Sequence, residues 1–240
     1  MGLTRSSVGF GALDRETRPA SGVIALAGNP NVGKSTLFNA LTGMRQHTGN
    51  WPGKTVAVAQ GSCGGRILAD LPGTYSLLSH SPEEQVARHF LCAEGPEKVV
   101  VVCDATTLER NLVLVLQILE ITPRAVVCVN LMDEARRKGI GLDLSLLSKR
   151  LGVPVIGVTA RKKRTLSRLL EAVDAPPPED PPIAVPYSPE MEEAVEKIVK
   201  ILPEGPLPRR FLALKLLEGD EDLLEELSPW LPEGAAESAN

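Results

Sequence analysis

Hydrophobic positions follow two rhythms that alternate along the chain. Continuous apolar runs at Val23 to Ala27, Val99 to Cys103 and Ala125 to Val129 predict strands covered on both faces, and Pro154 to Val158 predicts another. Between them, apolar residues three and four apart predict helices over about Lys34–Leu41, Pro82–Cys92, Leu108–Leu119, Leu144–Leu151 and Leu166–Val173. Ser81 suits the cap of the second helix, with Pro82 in its first turn. Thr55–Gln60 and Arg66–Ala69 predict a strand pair joined by a turn at Gly61-Ser62-Cys63-Gly64-Gly65. Strands alternating with helices imply an α/β fold with a doubly wound, mostly parallel sheet, and the strand pair adds one antiparallel edge strand.

At both ends the pattern lapses. Residues 1–21 mix Gly, Ser, Arg and Thr without period and read as a loose leader; residues 22–174 carry the α/β pattern. Residues 175–186, with Ala175-Pro176-Pro177-Pro178-Glu179-Asp180-Pro181-Pro182, read as a stiff extended linker. Residues 187–240 predict a small α-helical domain, with helices at Pro189–Leu202 and Pro208–Leu217 and a third short one at Glu221–Leu227.

The loops after the strands carry the chemistry. Gly28-Asn29-Pro30-Asn31-Val32-Gly33-Lys34-Ser35 matches the full P-loop pattern between a strand and a helix. Its N–H groups can wrap phosphates, Lys34 can reach the β- and γ-phosphates, and the Ser35 hydroxyl can ligate magnesium. Asp70-Leu71-Pro72-Gly73 ends a strand, so Asp70 can hold magnesium through a water and the Gly73 N–H can sense the γ-phosphate. Alone, that tetrapeptide is as readily an ordinary turn. Asn130-Leu131-Met132-Asp133 follows another strand, and the Asp133 carboxylate can accept two hydrogen bonds from guanine that adenine cannot donate. Val158-Thr159-Ala160 follows the next strand and can offer the Ala160 N–H to guanine O6. Four motifs in this order point to a Ras-like P-loop GTPase using GTP or GDP rather than ATP. Within the loop Gln46–Thr55, Thr55 is the candidate third magnesium ligand, ahead of Thr48.

Composition trims the field. A net charge of −4 speaks against a general nucleic-acid binder. Cys63, Cys92, Cys103 and Cys128 form no Cys-x-x-Cys pair and read as reduced, buried hydrophobes, and together with the three histidines they show no zinc- or iron-ligand spacing. With neither a signal peptide nor a run approaching the roughly 18 apolar residues of a membrane span, a soluble chain in a reducing cytosol is expected.

With these residues in hand, the chain resembles the N-terminal GTPase domain of the ferrous iron transport protein B family over about Val23 to Leu227. The resemblance is carried by Gly28 to Thr36, Gly49-Asn50-Trp51-Pro52-Gly53 with Thr55, Asp70 to Leu77, Asp104-Ala105 with Leu108 to Leu112, and the helical stretch Arg209 to Asp220. It implies that Thr36, Gly53, Lys54, Thr55 and Val56 join the nucleotide site. Lys54 stands where the family often has an apolar residue, and Ala57 where it often has Glu. A membrane domain that takes up Fe(II) is implied as partner, which places the full-length protein at the cytoplasmic face of the inner membrane and makes this chain a piece of it. Self-association is a further candidate. The resemblance also implies potassium, held by Asn31 and switch carbonyls where an arginine finger would otherwise act; the plainer reading is that Asn31 hydrogen-bonds its own loop.

Thr74 stands where many signalling GTPases place a water-orienting Gln, so slow intrinsic hydrolysis is expected, with Asn31, Lys34, Thr55 and Gly73 as the catalytic set and the water held by the Gly49–Thr55 backbone. GTP would draw Thr55 and Gly73 inward and hydrolysis would release them. Two other readings stand beside this one: a stand-alone GTPase of ribosome assembly or tRNA modification, and a module that holds nucleotide without turnover.

Overall fold

The computed structural model describes residues 22–43, 46–49, 58–78, 81–178, 182–205 and 207–219, with 46–49 as backbone only. Seven strands form one sheet in the order β2-β3-β4-β1-β5-β6-β7. They are β1 (Val23–Gly28), β2 (Gln46–Gly49), β3 (Val58–Cys63), β4 (Arg66–Asp70), β5 (Lys98–Asp104), β6 (Ala125–Asn130) and β7 (Val155–Gly157). The pairs β4–β1, β1–β5, β5–β6 and β6–β7 are parallel, and β3 runs against both of its neighbours.

Strand alternation divides the apolar runs between two cores. Ala25, Ala27, Val99, Val101, Cys103, Ala125, Val127 and Val129 point into one, and Ile24, Leu26, Val100, Val102, Val126 and Cys128 into the other. The first core is covered by α2 (Pro82–His89), α3 (Leu108–Ile121), α4 (Met132–Arg137) and α5 (Leu144–Leu151); the second by α1 (Lys34–Thr42) and α6 (Lys163–Asp174). This is the doubly wound arrangement that the two rhythms predict. All four cysteines are free and buried.

The boundaries differ in instructive ways. The outermost strand is β2, which falls in what reads from the sequence as loop; QHTG has no apolar alternation, and its backbone is recruited by pairing with β3. The strand that runs against the rest is therefore flanked on both sides. The expected five-residue turn shrinks to Gly64-Gly65, at φ 59° and 81°, because Gly61 and Cys63 turn buried faces inward and stay in the ladder. After α2, whose Ser81 hydroxyl accepts from the Glu84 N–H at 3.2 Å, residues Phe90–Glu94 widen into a π-helical turn. The six-residue α4 has too few positions to show a period in the sequence.

Two further helices, α7 (Pro189–Ile201) and α8 (Arg209–Glu218), pack on the sheet domain. Phe211, Leu212, Leu214 and Leu216 of α8 and Val195 of α7 share a core with Leu114, Val115 and Ile118 of α3. Arg210 clamps the join: its guanidinium donates to both Glu192 carboxylate oxygens at 2.7 and 2.8 Å and to the Val185 carbonyl at 3.1 Å. The Tyr187 hydroxyl donates to Glu120 of α3 at 3.1 Å. The leader, most of the Gln46–Thr55 loop and the expected helix at Glu221–Leu227 lie outside the described residues.

Candidate functional site

Parallel strands all end on the same edge of the sheet, so the loops after β1, β4, β6 and β7 meet there. The P-loop runs from Gly28 at the end of β1 to Lys34 at the start of α1. Asn31 and Gly33 take positive φ, at 66° and 80°. A Cβ on Gly33 would lie 2.5 Å from the Asn130 amide nitrogen, so glycine serves there for both conformation and space. That amide donates to the Val32 carbonyl at 3.0 Å and ties the guanine motif directly to the phosphate loop. Asn29 is buried, and neither polar atom of its side chain has a partner among the described residues.

The Lys34 ammonium pairs with the Asp70 carboxylate and donates to the Leu71 carbonyl at 2.5 Å. Burial pushes the Asp70 carboxyl above the usual carboxylate range, and the charge and hydrogen bond of Lys34 pull it back. Beyond it, the Thr74 N–H donates to the Gly28 carbonyl at 3.2 Å, which lays Gly73 against Pro30. The next residues are held by side chains: the Arg110 guanidinium sits 4.2 Å over the Tyr75 ring, Ser76 donates to Glu84 at 2.6 Å, and Gln117 accepts from the Leu77 N–H at 2.9 Å.

On the guanine side, Leu131 takes φ 60° and starts α4, with Met132 and Asp133 in its first turn. The Met132 N–H donates to the Val158 carbonyl at 3.3 Å, joining the loops after β6 and β7. The Thr165 hydroxyl accepts from the Thr159 N–H at 3.2 Å, has the Thr159 and Lys162 carbonyls at 3.0 and 2.8 Å as acceptors for its one proton, and closes the Val158-Thr159-Ala160 turn. The Asp104 N–H donates to the Asn111 side chain at 2.6 Å. Thr165 carries no motif signal in the sequence; Asn130 is marked by its motif, but its bond to the Val32 carbonyl is visible only in the fold.

The structure thus assembles Gly28, Asn29, Pro30, Asn31, Val32, Gly33, Lys34, Asp70, Leu71, Pro72 and Gly73 on one side, and Asn130, Leu131, Met132, Asp133, Val158, Thr159 and Ala160 on the other. Ser35 and Thr36 are exposed on the first turn of α1. Gly53, Lys54, Thr55 and Val56 lie outside the described residues. The oxygen donors Ser35 and Asp70 suit a hard cation such as magnesium.

A family model described as ferrous iron transport protein B matches residues 22–173, and one described as FeoB cytosolic helical domain matches residues 187–239. The Fe(2+) transporter FeoB of Escherichia coli (strain K12) is 40% identical over 207 residues, which is 82% of this chain and 27% of the relative. Its counterpart in Salmonella typhimurium is 41% identical over the same shares. This chain therefore spans only 27% of the length of those relatives. Among solved structures, the cytosolic domain of the T. maritima FeoB iron transporter in a GMPPNP form aligns with a TM-score of 0.78 at 35% identity, over 88% of this chain and 86% of that one. A mutant S. thermophilus NFeoB bound to GDP aligns with a TM-score of 0.75 at 36% identity, over 85% and 82%.

Proposed function

The chain belongs to the ferrous iron transport protein B family, and on that premise we propose that it binds and hydrolyses GTP as the cytosolic switch of an Fe(II) uptake transporter. The observation that carries this reading is the meeting of a P-loop, the Asp70–Gly73 segment and both guanine-side loops at one sheet edge, with Asn130 bridging them. Residues 22–174 act as the GTPase domain, and residues 187–240 as the helical domain that receives its signal through α3. In the whole transporter the membrane domain receives that signal, at the cytoplasmic face of the inner membrane. Among the described residues no helix is long and apolar enough to cross a membrane.

Asp133 selects guanine, and the Ala160 N–H meets its O6. The P-loop N–H groups and Lys34 hold the phosphates. Phosphate oxygens compete with Asp70 for the Lys34 ammonium, so nucleotide frees the Asp70 carboxylate. Ser35, Thr55 and, through a water, Asp70 would hold magnesium, which would supply charge neutralisation at the β- and γ-phosphates. Asn31, on its positive-φ bend, offers an amide oxygen to potassium. Gly73 presents its N–H to the γ-phosphate, and its release on hydrolysis frees the Thr74–Leu78 segment.

The test is binding and turnover of GTP against ATP by the purified chain with magnesium, in potassium and then in sodium. GTP-only turnover that rises in potassium supports the whole reading. Equal rates in the two salts would remove Asn31 from the potassium site, and equal use of ATP would overturn the role of Asp133.

A further inference from the structure

The β7 end of the sheet carries charge of the opposite sign to the whole. From Arg136 to Arg168 the sequence has ten Lys or Arg and one carboxylate, Asp143, in a chain of net charge −4. There a groove of about 650 Å³ runs along β7 between α5 and α6. Arg136, Lys149, Lys162 and Arg168 line it, and among the described residues neither a carboxylate nor an aromatic ring does.

Among the described residues β7 is an edge strand, paired only with β6. The Val127 N–H donates to the Pro154 carbonyl at 2.9 Å, and the Val158 N–H to the Val129 carbonyl at 2.7 Å. In a parallel ladder that register turns the N–H and C=O of Ile156 toward β6, and those of Val155 and Gly157 outward into the groove. An outward row of backbone donors and acceptors is a template for another strand.

We propose that this groove docks an acidic, extended peptide segment of a partner protein, added to the sheet beside β7. Four cations and no carboxylate among the described lining residues select a negative occupant, and the unpaired strand edge selects a peptide backbone. A second copy of β7 would bring its own cations against these. A lipid surface offers no strand-spaced donors and acceptors to a groove, and the lining has no ring on which a nucleobase could stack. Met132 and Thr159 also line the groove, so an occupant would touch both guanine-side loops. The proposal goes beyond the GTPase reading and does not depend on it.

Fluorescence anisotropy of the whole chain with a labelled eight-residue alternating Glu-Val peptide tests it. Saturable binding is expected, with Gln-Val and Lys-Val peptides weaker by at least about tenfold. Arg136→Glu, Lys149→Glu and Arg168→Glu together abolish binding, with folding checked by circular dichroism. Should that variant misfold, a Glu-Val peptide N-methylated at alternate residues tests the wild-type chain, because it keeps the charge and loses the strand edge; it is expected not to bind. Undiminished binding of the methylated peptide, or no saturable binding of the Glu-Val peptide, would overturn the proposal. So would tighter binding of phosphatidylglycerol vesicles or of single-stranded RNA that the triple variant loses.

Discussion

The two sides of the nucleotide site are held by different means. The P-loop and the guanine-side loops are tied by main-chain atoms and by side chains that serve them: Asn130 to Val32, Met132 to Val158, Thr165 to Thr159. Past Thr74, the Tyr75–Leu78 segment is held by side chains reaching in from other helices, namely Arg110, Glu84 and Gln117. Contacts of the first kind cannot be given up singly without straining a neighbour, whereas contacts of the second kind can be exchanged one at a time at modest cost. The switch proposed above needs both, a rigid seat for the nucleotide and a segment that can leave it.

The sharpest way to break that contrast is Gly33→Ala. A methyl at φ 80°, 2.5 Å from the Asn130 amide nitrogen, strains the backbone and displaces the bridge. With roughly 1–3 kcal/mol of strain and the clash besides, GTP affinity should fall by about a hundredfold in a fluorescent-nucleotide titration. Binding within about twofold of wild type would mean that the seat is softer than its hydrogen bonds imply. Asn130→Ala removes the bridge alone, and a loss of roughly tenfold is expected in the same titration.

Arg110→Ala attacks the other side. Losing the contact with Tyr75 costs about 0.5–1 kcal/mol locally, so amide exchange across Tyr75–Leu78 should quicken while GTP affinity stays within about twofold. A large loss of affinity would erase the distinction between the two sides.

The smallest effect is on the clamp between the helical pair and the sheet domain. Arg210, and then the Tyr187 N–H, hold the Glu192 carboxyl down to about 2, against an ordinary value of 4.5. A depressed acid contributes stability above its unfolded pKa, and that stability is lost as pH falls through the folded value. The Tm of wild type should therefore exceed that of Glu192→Gln above pH 4.5, and the two should converge as pH falls toward 2. Parallel curves across that window would show that the clamp does not couple to folding.

Legibility in the sequence depends on whether a residue's own pattern announces its role. Runs such as Val99 to Cys103 announce buried strands, and the P-loop and Asn130–Asp133 announce their chemistry through spacing. β2 is illegible because QHTG shows no apolar alternation, and its place in the sheet is set by backbone pairing with β3. The apolar period places the start of α6 at Leu166, three residues late, because Lys163, Arg164 and Thr165 contribute nothing to it. Thr165 closes the Thr159 turn from within that polar stretch, a role visible only once the chain has folded back on itself.

The four buried cysteines have a consequence in oxidation chemistry. Burial pushes the Cys92 and Cys103 thiols up to about 12, and Cys63 and Cys128 upward as well. Sulfur attacks peroxide and alkylating agents as thiolate, so in the folded chain these atoms are both protonated and walled off. Cys103 and Cys128 lie within the central strands β5 and β6, out of reach until the sheet itself opens. Their modification by iodoacetamide would therefore time the opening of the sheet, a clock already built into the core.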